Sequence, residues 1–253
     1  MPGAPRIRLD GVERRWNPRV AVRDLSLTIE PGERIALVGP SGSGKTTLLR
    51  LLMGALRTTA GKIHIGDSPI EMMTPAEIRG HRRRCAVVDQ GITLIPQLTV
   101  HGNVIAGKLP QWPWWKTLAS LLWSFERDET RELLDHVGLA DRQWDKVSVL
   151  SGGQQQRVAI ARAIAAEPTL MLADEPTAAL DPTTSADVIE LLVREATRLR
   201  ATLIISTHSV SHILDSVDRV IGLREGALVL DKPPSEVTDA ALDDLYEGSR
   251  ERI

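Results

Sequence analysis

The chain has 253 residues, of which 42% are hydrophobic and 25% are charged, and its formal net charge is −2. This composition is typical of a globular protein with a sizeable core. The near-neutral balance provides no concentrated basic face, so we expect no nucleic-acid partner. The single cysteine, Cys85, excludes an intrachain disulfide. The sequence contains no run of 18 or more apolar residues, so we predict no membrane span. The N-terminus lacks the apolar region of a signal peptide.

The first third of the chain is dominated by short apolar runs, which predict strands when turn residues bound them. In chain order these runs predict strands at 7–9, 22–29, 34–38, 62–65 and 86–89, with helices over 46–55 and 75–84. A Gly-rich turn lies between the strand at 34–38 and the helix at 46–55. This order of strand, loop and helix is the context that a phosphate-binding loop requires.

After residue 99 the sequence pattern changes from strand-like apolar runs to helical stretches. The clearest helix covers 127–137 and ends beside Gly138, a residue suited to a helix C-terminus. We therefore predict a helical subdomain over approximately 91–160, inserted into an α/β core.

Strands and helices alternate again in the last third of the chain. The predicted order is a helix at 153–166, a strand at 169–173, a helix at 183–199, a strand at 202–206, a hairpin over 219–230 and a short acidic helix. Alternation of this kind predicts a mostly parallel sheet covered by helices.

Residues 39–46 read GPSGSGKT and fit the phosphate-binding pattern G-x-x-x-x-G-K-[ST] completely. Glycines let successive backbone amides converge on phosphate oxygens, and the following helix adds its positive N-terminal end. In this pattern Lys45 reaches the β- and γ-phosphates and the Thr46 hydroxyl binds Mg²⁺. The motif therefore predicts a nucleoside triphosphate as ligand.

Residues 170–175 read LMLADE, an apolar strand that ends in two carboxylates. Beside a phosphate loop, Asp174 is expected to hold Mg²⁺ and Glu175 to act as general base for the attacking water. Further upstream, residues 150–157 read LSGGQQQR, in which a serine and two glycines open a helix. This is a second anion-binding arrangement, far in sequence from the first.

The motifs GPSGSGKT, Gln90, LSGGQ, LADE, Asp181 and His208 follow one another as in the ATPases of ATP-binding cassette (ABC) transporters, and the chain resembles that family over essentially its whole length. The resemblance implies a single ATP-binding domain over 1–253. It also implies an α/β fold, in which a P-loop NTPase (RecA-like) core carries an N-terminal antiparallel β-subdomain and an inserted α-helical subdomain. The implied ligands are ATP and Mg²⁺.

The resemblance also implies a role for each matching residue. Catalytic roles fall to Lys45, Gln90, Glu175 and His208, and Mg²⁺ ligation to Thr46, Gln90 and Asp174. ATP contacts fall to Trp16, Gly39, Pro40, Ser41, Gly42, Ser43, Gly44, Lys45, Thr46 and Thr47. The signature residues Leu150, Ser151, Gly152, Gly153 and Gln154 are implied to bind the γ-phosphate held by a second copy, with Asp181 positioned across the dimer interface.

Two positions depart from the family pattern. Trp16 stands where an aromatic residue, usually Tyr or Phe, stacks on adenine; a tryptophan ring can still stack, although a partly buried core residue is the alternative. Asp89 stands where relatives usually carry an aromatic residue. The sequence offers no account of that change.

Smaller features resemble the ATP-binding subunits of phosphonate importers: the stretch 98–109, a Trp-rich insertion over 111–125, and the stretch 228–246, which ends in a tyrosine. This resemblance implies a homodimer at the cytoplasmic face of the cell membrane. Its implied partners are integral-membrane permease subunits and an extracytoplasmic solute-binding protein. The alternatives are the ATPase of another ABC transporter, for export, lipoprotein release or uptake of a different small solute, a soluble cassette ATPase, and a non-hydrolysing regulatory module.

Overall fold

The computed structural model of the chain describes residues 3–89, 94–113, 127–178, 180–208, 210 and 213–247. The described residues form ten strands and seven α-helices. The strands are β1 (Ile7–Trp16), β2 (Arg19–Ile29), β3 (Arg34–Val38), β4 (Ala60–Ile65), β5 (Ser68–Pro69), β6 (Cys85–Asp89), β7 (Leu170–Asp174), β8 (Thr202–Thr207), β9 (Arg219–Arg224) and β10 (Ala227–Lys232). The helices are α1 (Lys45–Leu52), α2 (Pro75–Arg83), α3 (Val100–Ala106), α4 (Arg127–His136), α5 (Gly152–Ile164), α6 (Pro182–Leu199) and α7 (Asp239–Glu247).

The strands form two sheets of different kinds. One is a four-stranded sheet in the order β2-β1-β4-β5, and its paired strands are antiparallel. The other has six strands in the order β10-β9-β3-β8-β7-β6, in which every neighbouring pair is parallel except β9 with β10. The predicted mostly parallel sheet and N-terminal antiparallel subdomain are confirmed.

The parallel sheet separates two apolar cores, and β3 shows why. Successive side chains of a strand point to opposite faces. Ile35 and Leu37 belong to the core shared with α1 and the antiparallel sheet, whereas Ala36 and Val38 belong to the core shared with the helices. Burial on both faces explains why the sequence of β3 is a continuous apolar run rather than an alternation.

Helices α3, α4 and α5 pack together beside the sheet. Gly107, just after α3, allows close approach, because a Cβ there would lie 2.1 Å from the carbonyl oxygen of Arg162 in α5. Among the described helices, none is long and apolar enough to cross a membrane.

Most predicted elements occur within a few residues of their expected bounds. The helix predicted to end at residue 55 ends at Leu52, and Gly54 follows with φ of +70°. Strand β5 was not predicted, because two residues, one of them Pro69, carry no apolar alternation. The predicted hairpin turns at Glu225 and Gly226, which both have positive φ.

Candidate functional site

The loop between β3 and α1 is shaped by glycines that no other residue could replace. Gly39 has φ of +145°, and a Cβ there would lie 2.1 Å from the carbonyl oxygen of Leu223. Gly44 has φ of +108°, and its Cβ would lie 2.2 Å from the carbonyl oxygen of Ala21. Side chains at either position would collide with backbone, so the loop conformation depends on glycine.

Lys45 opens α1 and its side chain turns back into the loop. The Nζ atom donates to the carbonyl oxygens of Gly39 at 2.7 Å and Pro40 at 3.2 Å, and the side chain is almost fully buried. Burial lowers the pKa of Lys45, while the negative charges of Glu175 and Asp174 oppose that shift. A buried cation held near two carboxylates is suited to neutralise phosphate charge.

The C-terminal end of β7 delivers the two predicted carboxylates beside this loop. Ser206, on the neighbouring strand β8, donates its hydroxyl to Asp174 Oδ1 at 2.7 Å and accepts from the backbone amide of Glu175 at 2.9 Å. Ser206 is not predicted from the sequence. Its role follows from the parallel register that pairs Asp174 with Ser206, and a lone serine in an apolar run gave no signal of it.

Glu175 lies between Lys45 and His208. Its Oε1 atom is 3.9 Å from Lys45 Nζ and 2.5 Å from His208 Nε2. Glu175 has φ of +51°, a left-handed conformation that is uncommon for a non-glycine residue and clusters at functional sites. Its side chain is 18% exposed and that of His208 is 41% exposed, so a water molecule can reach the pair from one side.

Lys45 and Glu175 line a cavity of about 420 Å³, and Glu175 and His208 line a neighbouring one. The lining residues of the first cavity are Trp16, Arg19, Ala21, Ser41, Gly42, Ser43, Gly44, Lys45, Thr46, Thr47 and Glu175. Trp16, at the end of β1, is 47% exposed, and the Arg14 guanidinium lies 3.9 Å from its ring centroid. One face of the indole is therefore covered by a cation, which leaves the other face for a flat partner.

The signature residues do not line the first cavity. Ser151 caps α5, its hydroxyl accepting from the Gln154 amide at 3.4 Å while Gln154 Oε1 accepts from the Ser151 amide at 3.0 Å. Ser151, Gly152, Gly153 and Gln154 line a separate cavity with Leu180, Asp181 and Thr184. Among the described lining residues, it shares none with the first cavity.

Asp181 caps α6, because its Oδ1 accepts from the Thr184 amide at 3.0 Å. That backbone hydrogen bond lowers the pKa of Asp181. The structure thus brings Trp16, the phosphate loop, Glu175 and His208 together, and it places the signature and Asp181 in the separate cavity. Gln90 lies outside the described residues.

Oxygen donors suited to Mg²⁺ are present at the phosphate loop and at the neighbouring end of β7. The Thr46 residue is exposed there, and Asp174 presents a carboxylate at the end of β7. Within the described ranges, no cluster of three or more His, Cys, Asp or Glu side chains could hold a metal. This donor set fits Mg²⁺, which usually takes one or two protein oxygens together with waters and substrate phosphates.

Comparison with known proteins gives consistent matches. Residues 22–178 match the family described as ABC transporter. The chain is 44% identical over 249 residues to the Phosphonates import ATP-binding protein PhnC of Anaeromyxobacter dehalogenans, covering 98% of this chain but only 49% of the relative, so the chain spans about half that protein's length. It is 42% identical to the protein named PhnC 2 of Pseudomonas aeruginosa, covering 96% of this chain and 91% of the relative.

Solved structures give the same result. The chain superposes on cbiO1 of Clostridium perfringens, part of the ABC transporter complex cbiONQ, with a TM-score of 0.81 and 25% identity over 100% of this chain and 96% of that one. It also superposes on a dimeric ATP-binding cassette in a post-hydrolysis state bound to ADP and Pi, with a TM-score of 0.74 and 30% identity. That likeness covers 90% of this chain and 98% of the other.

Proposed function

Since this chain belongs to the ABC transporter family, we propose that it is the ATP-hydrolysing subunit of a membrane importer for phosphonate-type solutes. The observation that carries the proposal is the chain of contacts from Lys45 through Glu175 to His208 beside the phosphate loop. Its curated relatives are named as phosphonates import ATP-binding proteins, which supports that class of solute.

The first cavity would hold ATP. The adenine ring would stack on the free face of Trp16, and the phosphates would lie on the amides of residues 39–47. On phosphate binding, Lys45 would exchange its contacts with Gly39 and Pro40 for phosphate oxygens. Phosphoryl transfer depends mainly on positioning and charge neutralisation, and a buried lysine supplies both.

Hydrolysis would require a water molecule held in line with the γ-phosphate. Glu175 is the candidate general base, because its carboxylate is partly buried and its backbone is fixed by Ser206. His208, 2.5 Å from that carboxylate, would orient both the carboxylate and the water. Gln90 would complete this set.

Magnesium would be held by Thr46, Asp174 and Gln90. The chemistry supplied by the bound ion would be positive charge that neutralises the phosphates.

The active form would be a head-to-tail homodimer. The described signature residues line a different cavity from the phosphate loop of the same chain, which supports a site completed by a second copy. In the dimer, Ser151, Gly152 and Gly153 would contact the γ-phosphate held by the partner, with Leu150 and Gln154 supporting the helix start and Asp181 at the interface.

The proposed assembly includes integral-membrane permease subunits and an extracytoplasmic solute-binding protein that acts through the permease. The chain would sit peripherally on the cytoplasmic face of the cell membrane and bind no nucleic acid. Residues 1–253 would form one ATP-binding domain, with approximately 91–160 as its inserted helical subdomain.

Replacing Glu175 with Gln tests the catalytic assignment. The amide cannot accept a proton, so we expect turnover to fall by about 100- to 10,000-fold while ATP binding persists. The matched control is Glu190→Gln, the same change at an exposed residue on α6, which should hydrolyse ATP normally. Wild-type turnover in Glu175→Gln would remove Glu175 from the role.

Mixing two inactive variants tests the dimer. Lys45→Ala disables one chain's phosphate loop and Ser151→Arg disables the other chain's signature. Together they leave one intact composite site per mixed dimer. We expect each variant alone to be inactive and the mixture to regain hydrolysis. A mixture as inactive as its components would contradict the head-to-tail arrangement.

Solute identity is tested with the partner binding protein. We expect it to retain methylphosphonate, aminoethylphosphonate or phosphite in preference to phosphate. Retention of an unrelated solute would leave the ATPase assignment intact and refute phosphonate import.

A further inference from the structure

The C-terminal helix α7 is fixed against β9 on both sides of Tyr246. Leu245 is almost fully buried and occupies space left by Gly222, where a Cβ would lie 3.2 Å from the leucine side chain. Arg224 donates to the carbonyl oxygen of Asp244 at 2.5 Å and to its carboxylate at 3.2 Å. Two independent contacts therefore set the position of the residue that follows them.

Tyr246 reaches the nucleotide site from this helix. Its hydroxyl donates to the backbone carbonyl oxygen of His208 at 3.5 Å. Burial raises the pKa of Tyr246, the negative charge of Glu175 acts in the same direction, and the backbone amide of Gly39 opposes it. The phenol thus stays protonated at neutral pH and lies near the phosphate loop, the general-base carboxylate and the histidine segment.

We propose that Tyr246 is a positioning residue for ATP hydrolysis, whose hydroxyl holds the backbone of His208. His208 lies at the end of β8 and can face Glu175 only if the backbone that follows the strand is held in one direction. A hydroxyl that donates to the carbonyl oxygen of His208 from the anchored helix α7 provides that constraint. This inference rests on the proposed ATPase function.

The hydroxyl, rather than the ring, carries the inference. The helix is anchored by Leu245 and Arg224, so its packing does not need the phenolic oxygen. The 3.5 Å separation is long for a hydrogen bond between oxygens, as catalytic contacts often are before the nucleotide binds. Closure around ATP would shorten it at the step where the alignment of His208 matters.

The first test is Tyr246→Phe, which removes only the hydroxyl. We expect kcat to fall by about three- to tenfold, as for the loss of one hydrogen bond made in the reacting state, with KM for ATP and the melting temperature unchanged. The matched control is Asp243→Asn, an exposed residue of the same helix, which should keep wild-type kcat. A wild-type kcat in Tyr246→Phe would overturn the proposal.

A second measurement is independent of turnover. The chain has six histidines and one tyrosine, so the ring signal of His208 can be identified in an NMR spectrum by its absence in His208→Ala. We expect Tyr246→Phe to shift that signal and to leave the other five in place. If all six stay in place, Tyr246 does not hold His208, whatever the kinetics show.

The two measurements separate the proposals. A wild-type chain that neither binds nor hydrolyses ATP, alone or with its permease, would refute the proposed function, whereas the NMR comparison would still report on the contact between Tyr246 and His208. Normal wild-type hydrolysis with no effect of Tyr246→Phe on kcat or on the His208 signal would refute the positioning role alone.

Discussion

Replacing Ser206 with Ala should damage both stability and turnover, because one hydroxyl serves both carboxylate positions. It donates to Asp174 Oδ1 at 2.7 Å and accepts from the Glu175 amide at 2.9 Å. The residue is fully buried, so no bulk water is available to replace the lost contacts.

The magnitude follows from those two contacts. A hydrogen bond to a charged group contributes about 1.5–3 kcal/mol, and an ordinary one about 1 kcal/mol. The Glu175 amide also donates to the Ser206 carbonyl oxygen at 3.2 Å. This amide therefore loses only part of its hydrogen bonding in the variant. We expect the free energy of unfolding to fall by about 2–3 kcal/mol, which lowers the melting temperature by about 4–12 °C for a chain of this size.

Turnover should fall further than stability suggests. Without the hydroxyl, Asp174 and Glu175 can each rotate, and a displacement of about 1 Å in a catalytic group can cost about 100-fold in rate. We expect kcat for Mg²⁺-dependent ATP hydrolysis to fall by about 10- to 100-fold, measured at a temperature where the variant is fully folded.

Thr202→Val is the matched control. Thr202 lies at the other end of β8, is also fully buried, and its hydroxyl accepts from the Gly32 amide at 3.0 Å. This variant should lose about 1 kcal/mol of stability and keep wild-type kcat. If Ser206→Ala and Thr202→Val lose stability equally and both retain turnover, the positioning role of Ser206 is refuted.

Three further predictions address other residues. Trp16→Ala should raise KM for ATP about tenfold, the scale of a lost stacking contact, whereas Trp16→Phe should leave it unchanged. If Trp16→Ala has the KM of the wild type, stacking on Trp16 is excluded. Hydrogen bonds from Arg34 lower the pKa of Asp218, so its contribution is present at neutral pH and lost as pH falls through that lowered pKa. The melting temperatures of wild type and Asp218→Asn should therefore differ at pH 7 by the equivalent of about 1 kcal/mol, given partial exposure, and converge below about pH 4. Burial raises the pKa of Cys85 to about 12, so the native thiol at pH 8 should react with a disulfide reagent about a thousandfold more slowly than the unfolded chain; equal rates would contradict its burial.

The fold was predictable where a pattern is local. The apolar runs of β3, β7 and β8 are buried on both faces and are continuous in sequence, so they stand out from their flanks. The glycine loop was equally clear, because Gly39 and Gly44 occupy backbone conformations that other residues rarely adopt. Element ends were less predictable, since a helix such as α1 ends by geometry at Gly54 rather than by loss of apolar residues.

The candidate site was predictable only in part, because two of its residues act through distant partners. Ser206 depends on the register between β7 and β8, and Tyr246 depends on how α7 lies against β9. Neither pairing has a signature along the chain. Both residues could be recognised only after the strands and the helix were in place.

The signature segment shows why a motif alone does not define a site. In this chain Ser151 and Asp181 serve as helix caps, and a cap needs no ligand to explain its residue type. Yet Ser151 to Gly153 also open α5 towards a cavity that is separate from the phosphate loop, with amides at a helix N-terminus suited to bind an anion. A Cβ at Gly153 would lie 2.7 Å from Thr184 Cγ2, so a side chain there would displace Thr184. The residues that cap and pack the start of α5 are therefore the same residues that would form the proposed second anion site.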